Sequence, residues 1–194
     1  MRIALAVVLA SAASISASPG LPVAPVHTTR TEPHIAFDAN GNVARFYGVP
    51  INLTIPGLKR LPYRVKMGHI VKEGDRYITA QIQIKDGIVV DAEFVRGRVY
   101  RLGTASPNAV GPRGIRVGSR LSDVRAAWPA GKLIYGIGEK NLYVTFLTGA
   151  NILYNFDPKD MPRDAFDDVP PKDVKIPDLK VQYIRFEDIP VPAH

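Results

Sequence analysis

Apolar and polar residues alternate most regularly between Tyr77 and Leu102. Tyr77–Ile84 puts Ile78, Ala80, Ile82 and Ile84 on one face; Ile88–Val95 puts Ile88, Val90, Ala92 and Phe94 on one face, with Asp91 and Glu93 opposite. Such alternation predicts antiparallel strands with one buried and one wet side. Lys85-Asp86-Gly87 and Arg96-Gly97-Arg98 interrupt it as tight turns, Asp-Gly being a strong hairpin signal, and Val99-Tyr100-Arg101-Leu102 continues the meander. Two further hairpins are predicted: His34–Phe37 with Val43–Tyr47 around Asp38-Ala39-Asn40-Gly41-Asn42, and Leu142–Leu147 with Ile152–Phe156 around Thr148-Gly149-Ala150-Asn151. Lys132–Tyr135 reads as a short strand. Ile51–Ile55 and Tyr63–Val71 read as weaker ones, set among Pro50, Pro56 and Pro62, and Lys180–Phe186 reads as a final edge strand.

One segment has another period. Leu121, Val124 and Trp128 fall on a single helical stripe, while Arg120, Asp123 and Arg125 face away from it. Gly114 and Gly118 precede the stripe, Ser119 is placed to cap it, and Pro129 and Gly131 end it. Trp128 is expected to seat the helix on the sheet. The expected fold class is therefore α+β: mainly antiparallel sheet, built of a meander and hairpins, with one principal short helix near 119–128. The expected organisation is a signal peptide at 1–17, a flexible mature N-terminus at 18–33 and an antiparallel β region at 34–110. A helix-plus-hairpin module follows at 111–157, then a proline-rich tail with an edge strand at 158–194. One domain with two β layers, or two subdomains meeting near 105–113, fits these connections equally.

Composition adds an address. Arg2, the uncharged run Ile3–Ala13 and the small residues through Ala17 and Ser18 follow the order of a secretory signal peptide, which predicts a periplasmic or secreted protein. The apolar run is shorter than the roughly 20 residues that span a bilayer, so a membrane-spanning anchor is not expected. The 194-residue chain has no cysteine, and hence neither a disulfide nor a cysteine for a lipid anchor is expected. The net charge is +7. The excess gathers at Lys59, Arg60, Arg64, Lys66 and Lys72, then at Arg96, Arg98, Arg101, Arg113, Arg116 and Arg120. Lys59, Arg60, Arg64, Lys66, Arg96, Arg98, Arg101 and Arg116 are thus the candidate contacts for an anion or a protein partner. For an exported chain the available anions are lipid headgroups, lipopolysaccharide and acidic polymers; nucleic acid is not an expected partner.

Catalytic patterns are missing from the sequence. His27, His34, His69 and His194 are scattered, without zinc-ligand spacing. There is no Gly-x-Ser-x-Gly elbow, no Ser-x-x-Lys pair and no thiol, and Gly136-Ile137-Gly138 lacks the third glycine of a dinucleotide loop. Gly41 follows Asp38 and Asn40 too early for a calcium loop. Asp157, Asp160, Asp164, Asp167 and Asp168 alternate with Lys159 and Arg163, as in a solvated loop. No catalytic residue, cofactor or metal ligand is assigned.

The run Gly114-Ile115-Arg116-Val117-Gly118-Ser119-Arg120-Leu121-Ser122-Asp123-Val124, followed by a proline and a hairpin, carries a resemblance. It resembles the opening of the module found in small outer-membrane assembly lipoproteins and β-lactamase-inhibitor-like proteins, over roughly Gly114–Asp157. Two departures stand out: those lipoproteins carry a lipidated cysteine, and their proline comes later, after a glycine, where this chain has Trp128-Pro129. As a whole the chain resembles uncharacterised exported proteobacterial proteins. The resemblance implies a helix packed on a small antiparallel sheet, and protein–protein contact rather than chemistry. The expectation is an exported, non-enzymatic binding module for an envelope protein. Its alternatives are a binder of anionic lipid or lipopolysaccharide, and a hydrolase whose residues converge only in space.

Overall fold

The computed structural model describes residues 34–72, 74–138, 141–167 and 174–188. The expected signal peptide and mature N-terminus, with His27, Asp168 and His194, lie outside the described residues.

The architecture is mainly antiparallel β-sheet. Three short strands, β1 (Ile35–Phe37), β2 (Val43–Phe46) and β3 (Val49–Pro50), form a small sheet. The predicted turn joins the first two: the Asp38 carboxylate accepts from the backbone N–H of Asn40 and Asn42 at 2.8 and 2.9 Å. The short helix α1 (Ile55–Leu58) comes next. The meander then runs through β4 (Arg64–Lys72), β5 (Asp75–Gln83), β6 (Val89–Val95) and β7 (Arg98–Thr104). After α2 (Leu121–Ala127), the strands β8 (Lys132–Ile137), β9 (Leu142–Leu147), β10 (Ile152–Phe156) and β11 (Val181–Glu187) complete an eight-stranded sheet. Its order is β4-β5-β6-β7-β11-β10-β9-β8, so strands from both sides of the 105–113 connection share one sheet.

One face of that sheet makes the core. Ile82, Val90, Leu102, Ile184, Phe186, Tyr154 and Phe146 are almost fully buried there. Removing each such side chain from water is worth about 1.5–3 kcal/mol. The small sheet and α2 contribute to the same core: the Phe46 ring sits 4.6 Å from that of Phe186, and Leu121 and Val124 are buried. The core stops short of the far end of β4 and β5, where Val71 and Ile78 are 66% and 44% exposed.

Four expectations need correction. Lys180–Phe186 is not an edge strand: β11 lies between β7 and β10, with Ile184 opposite both Thr104 and Tyr154. Ile51–Ile55 is not a strand. Pro56 sits in the first turn of α1, where proline's missing N–H is harmless, and Thr54 caps that turn through Gly57 N–H at 3.2 Å. The principal helix is Leu121–Ala127, with Arg120 at the N-cap position. Ser119 does not cap it: its hydroxyl accepts from Arg116 N–H at 3.0 Å, and the Asp123 carboxylate takes the Arg120 N–H at 2.9 Å. Gly118, at a φ of +91°, and Ser119 instead pair with Val181 through 2.7 and 2.9 Å bonds, which tie the helix entrance to the start of β11. Gly114, at +77°, closes the turn that begins at Pro112.

Trp128 packs half-buried against the core as its position in the stripe implies. Its Nε1 donates to the Tyr154 hydroxyl at 3.3 Å, and the Arg113 guanidinium stacks 3.8 Å from its ring centroid. Cation–π contact of this kind holds an arginine that the charge pattern alone would have left free.

Candidate functional site

The structure does not gather the basic residues into one band. Lys59 and Arg60 follow α1 and are exposed. Arg96 occupies a turn at a φ of +51°, and Arg98 donates to the Asn52 carbonyl at 3.2 Å. Arg116 belongs to the loop ahead of α2. Arg101 is enclosed on β7, its Nη1 3.0 Å from Glu93 and its Nη2 2.7 Å from Glu187. Arg64 and Lys66 are the pair that come together, on one face of β4, and Lys72 shares that face at the strand's far end.

The register of the meander fixes which way β4 presents its backbone. Ile84 N–H bonds the Ile88 carbonyl at 2.8 Å, so the even-numbered residues of β5 bond toward β6 and the odd-numbered ones toward β4. Arg64, Lys66, Gly68, Ile70 and Lys72 pair with those odd residues, from Gln83 to Asp75. Their backbone groups therefore face inward. Val65, Met67, His69 and Val71 point their N–H and C=O groups away from the sheet, and among the described residues no strand pairs with them. β4 is thus a nine-residue, unbulged edge strand with an unpaired hydrogen-bonding row. Its inward-bonding residues carry side chains on the sheet's outer face. Its outward-bonding residues carry theirs on the core side, where Met67, His69 and Val71 are exposed.

Beside this edge, the outer face of the sheet holds a charged network. Lys72 Nζ lies 2.5 Å from Glu93, Glu93 and Glu187 flank Arg101, and Arg185 Nε is 3.1 Å from Glu187 without aligning as a hydrogen bond. Burial alone would push the Arg101 guanidinium down, but Glu187 and Glu93 hold it above its usual range; burial depresses Arg185. Tyr183 lies across Gly103, where a Cβ would collide with its ring, and its hydroxyl reaches the Asp91 carboxylate at 3.3 Å. Burial and the Asp91 charge both push the Tyr183 phenol well above its ordinary range. Burial raises Asp91, offset in part by the Gln81 and Tyr183 hydrogen bonds. A cleft of about 340 Å³ opens between this network and β4, over Gly68 and Thr79 and beside Lys66. Arg185, Glu187 and Tyr183 escaped the sequence reading. The signal available for them was the polar alternation Tyr183, Arg185, Glu187, which matches the acids of β6 and Arg101 of β7.

Elsewhere, Asp157, Asp160, Asp164 and Asp167 fall in and around two 3-10 turns, Asp157 accepting from Lys159 N–H at 3.0 Å. Among the described residues, no helix is long and apolar enough to cross a membrane.

Fold and site together define an antiparallel sheet with one packed face and, among the described residues, an unpaired basic edge at β4. No family model and no curated protein matches this chain. Among solved structures, the chain is similar to the uncharacterized protein YfeY from Escherichia coli, at 17% identity and a TM-score of 0.50 over 71% of this chain and 90% of that one. That likeness concerns the fold.

Proposed function

We propose that this protein is an exported, non-enzymatic protein-binding module of the cell envelope, and that it receives its partner on the β4 edge by strand addition. The unpaired row of Val65, Met67, His69 and Val71 carries the reading. Four outward-facing residues in a regular strand offer a ready-made ladder for an extended segment, the mode used by many peptide-binding sheets. The signal-like N-terminus supports the compartment. The half-buried charges of the outer face are absorbed in mutual ion pairs and the Tyr183–Asp91 bond, an arrangement suited to fixing a surface rather than to turning over a substrate.

The test is crosslinked recovery from envelope fractions with the wild-type chain and with His69→Pro. Proline there removes one outward N–H, while the β4–β5 bonds, made by the even-numbered residues, stay intact. A specific protein recovered by the wild type and lost by a variant with unchanged circular dichroism supports the reading; equal recovery by both counts against it. Anionic lipid or lipopolysaccharide is the second reading, favoured by Arg64, Lys66 and Lys72 sharing a face. Vesicle binding that salt abolishes and His69→Pro leaves untouched would select it instead.

A further inference from the structure

We infer that the segment taken up by β4 is an acidic–apolar alternating strand, with carboxylates opposite Arg64 and Lys66 and apolar side chains between them. The inference rests on the edge-binding reading and adds the chemistry of the partner.

A strand added to β4 continues its pleat, so the partner's side chains alternate between the same two faces. On the outer face they meet Arg64 and Lys66, both exposed and outside the salt bridges of the described residues, whereas Lys72 is held by Glu93. Directly opposed charges across a strand pair favour a carboxylate at these positions and disfavour a lysine. On the core side they meet Met67 and Val71, 37% and 66% exposed, with Ile78 beside them at 44%. Apart from His69, exposed between Met67 and Val71, that strip is apolar and uncovered, which favours hydrophobic side chains at the intervening positions. Side-chain charge thus reads one face of the incoming strand and apolar burial the other, while the backbone row supplies the bonds common to any occupant.

The same charges argue against a second copy of this chain. Antiparallel pairing of two β4 strands about Gly68 would set Arg64 of each copy against Lys72 of the other, like charges face to face. Basic residues on an edge strand are a known device against such self-pairing.

Fluorescence anisotropy with short, end-blocked synthetic peptides tests the inference on the full chain. One peptide alternates glutamate and valine, the other lysine and valine. The wild type should bind the glutamate peptide about tenfold or more tightly than the lysine peptide, as expected for two partly exposed charge pairs turned from attraction to repulsion. Arg64→Glu combined with Lys66→Glu should reverse the order, and His69→Pro should weaken both. Equal affinity for the two peptides, with His69→Pro still blocking both, would overturn the acidic specificity and leave strand addition standing. Glutamate-peptide binding unaffected by His69→Pro would mean adsorption to a basic surface, and would overturn the inference together with the strand-addition reading. A dimer in sedimentation that excludes both peptides would assign the edge to a second copy and overturn it as well.

Discussion

Tyr183 and Gly103 form the tightest single fit on the outer face. The Tyr183 ring lies over the β7 backbone because Gly103 has no side chain, and this position lets its hydroxyl reach from β11 across β7 to Asp91 on β6. Gly103→Ala should therefore displace the ring, break the bond to Asp91 and cost about 1–3 kcal/mol, the usual range for overpacking. Denaturant unfolding of the variant, read as a lower midpoint at unchanged slope, checks it. Asp91 itself carries a pH-dependent term. Burial raises its pKa in the fold above the unfolded value, so the folded chain holds that proton more tightly. The stability this adds is complete below the ordinary carboxylate pKa and is lost as pH rises through the raised folded value. Asp91→Asn should remove the term and gain on the wild type between acidic and neutral pH, with the advantage vanishing toward strong acid. Midpoints measured across that range decide it; an advantage independent of pH would assign the effect to packing.

At the scale of elements, the entrance to α2 separates two kinds of sequence signal. The stripe Leu121, Val124 and Trp128 was legible because burial at helical spacing is a local pattern, and all three contact the core. The cap was not legible to the residue, since Ser119 and Asp123 both have capping chemistry and the choice depends on where the chain before β11 passes. That chain pairs with Gly118 and Ser119, which leaves Arg120 as the first helical boundary and Asp123 to satisfy its N–H. Asp123→Ala should accordingly cost about 1 kcal/mol, in the range of a lost cap, and Ser119→Ala clearly less. Thermal unfolding of the two variants side by side checks the order. The same limit explains β4 and β11. Alternation marked Tyr63–Val71 and Lys180–Phe186 as strands, but strand order is a property of long-range pairing, so the chain's end entered the sheet centre and β4 became the edge. The candidate basic residues scattered for a related reason. Nearness in sequence put Arg101 beside Arg96 and Arg98, whereas the pleat set it on the outer face between Glu93 and Glu187.

In the whole molecule, β11 joins two halves of the sheet, lying between β7 and β10. It takes hydrogen bonds from β7 on one side and β10 on the other, and buries Val181, Ile184 and Phe186 almost completely. Among the described residues, β4 has one partner strand, no fully buried side chain and an unpaired row of backbone groups. Opening free energies follow burial and pairing, so amide exchange should rank β11 among the most protected strands and β4 among the least. The ranking has finer structure within β4 itself. Even-numbered amides bond β5 and should exchange slowly relative to Val65, Met67, His69 and Val71, whose N–H groups face solvent. A partner that adds as a strand must protect those four odd-numbered amides. One that merely adsorbs to the basic face leaves the odd–even contrast as it was. Exchange measured by NMR on the free chain and on its complex therefore reads the fold and the mode of binding in one experiment. Loss of the odd–even contrast on binding is the expected result, and persistence of the contrast in a saturated complex would rule strand addition out.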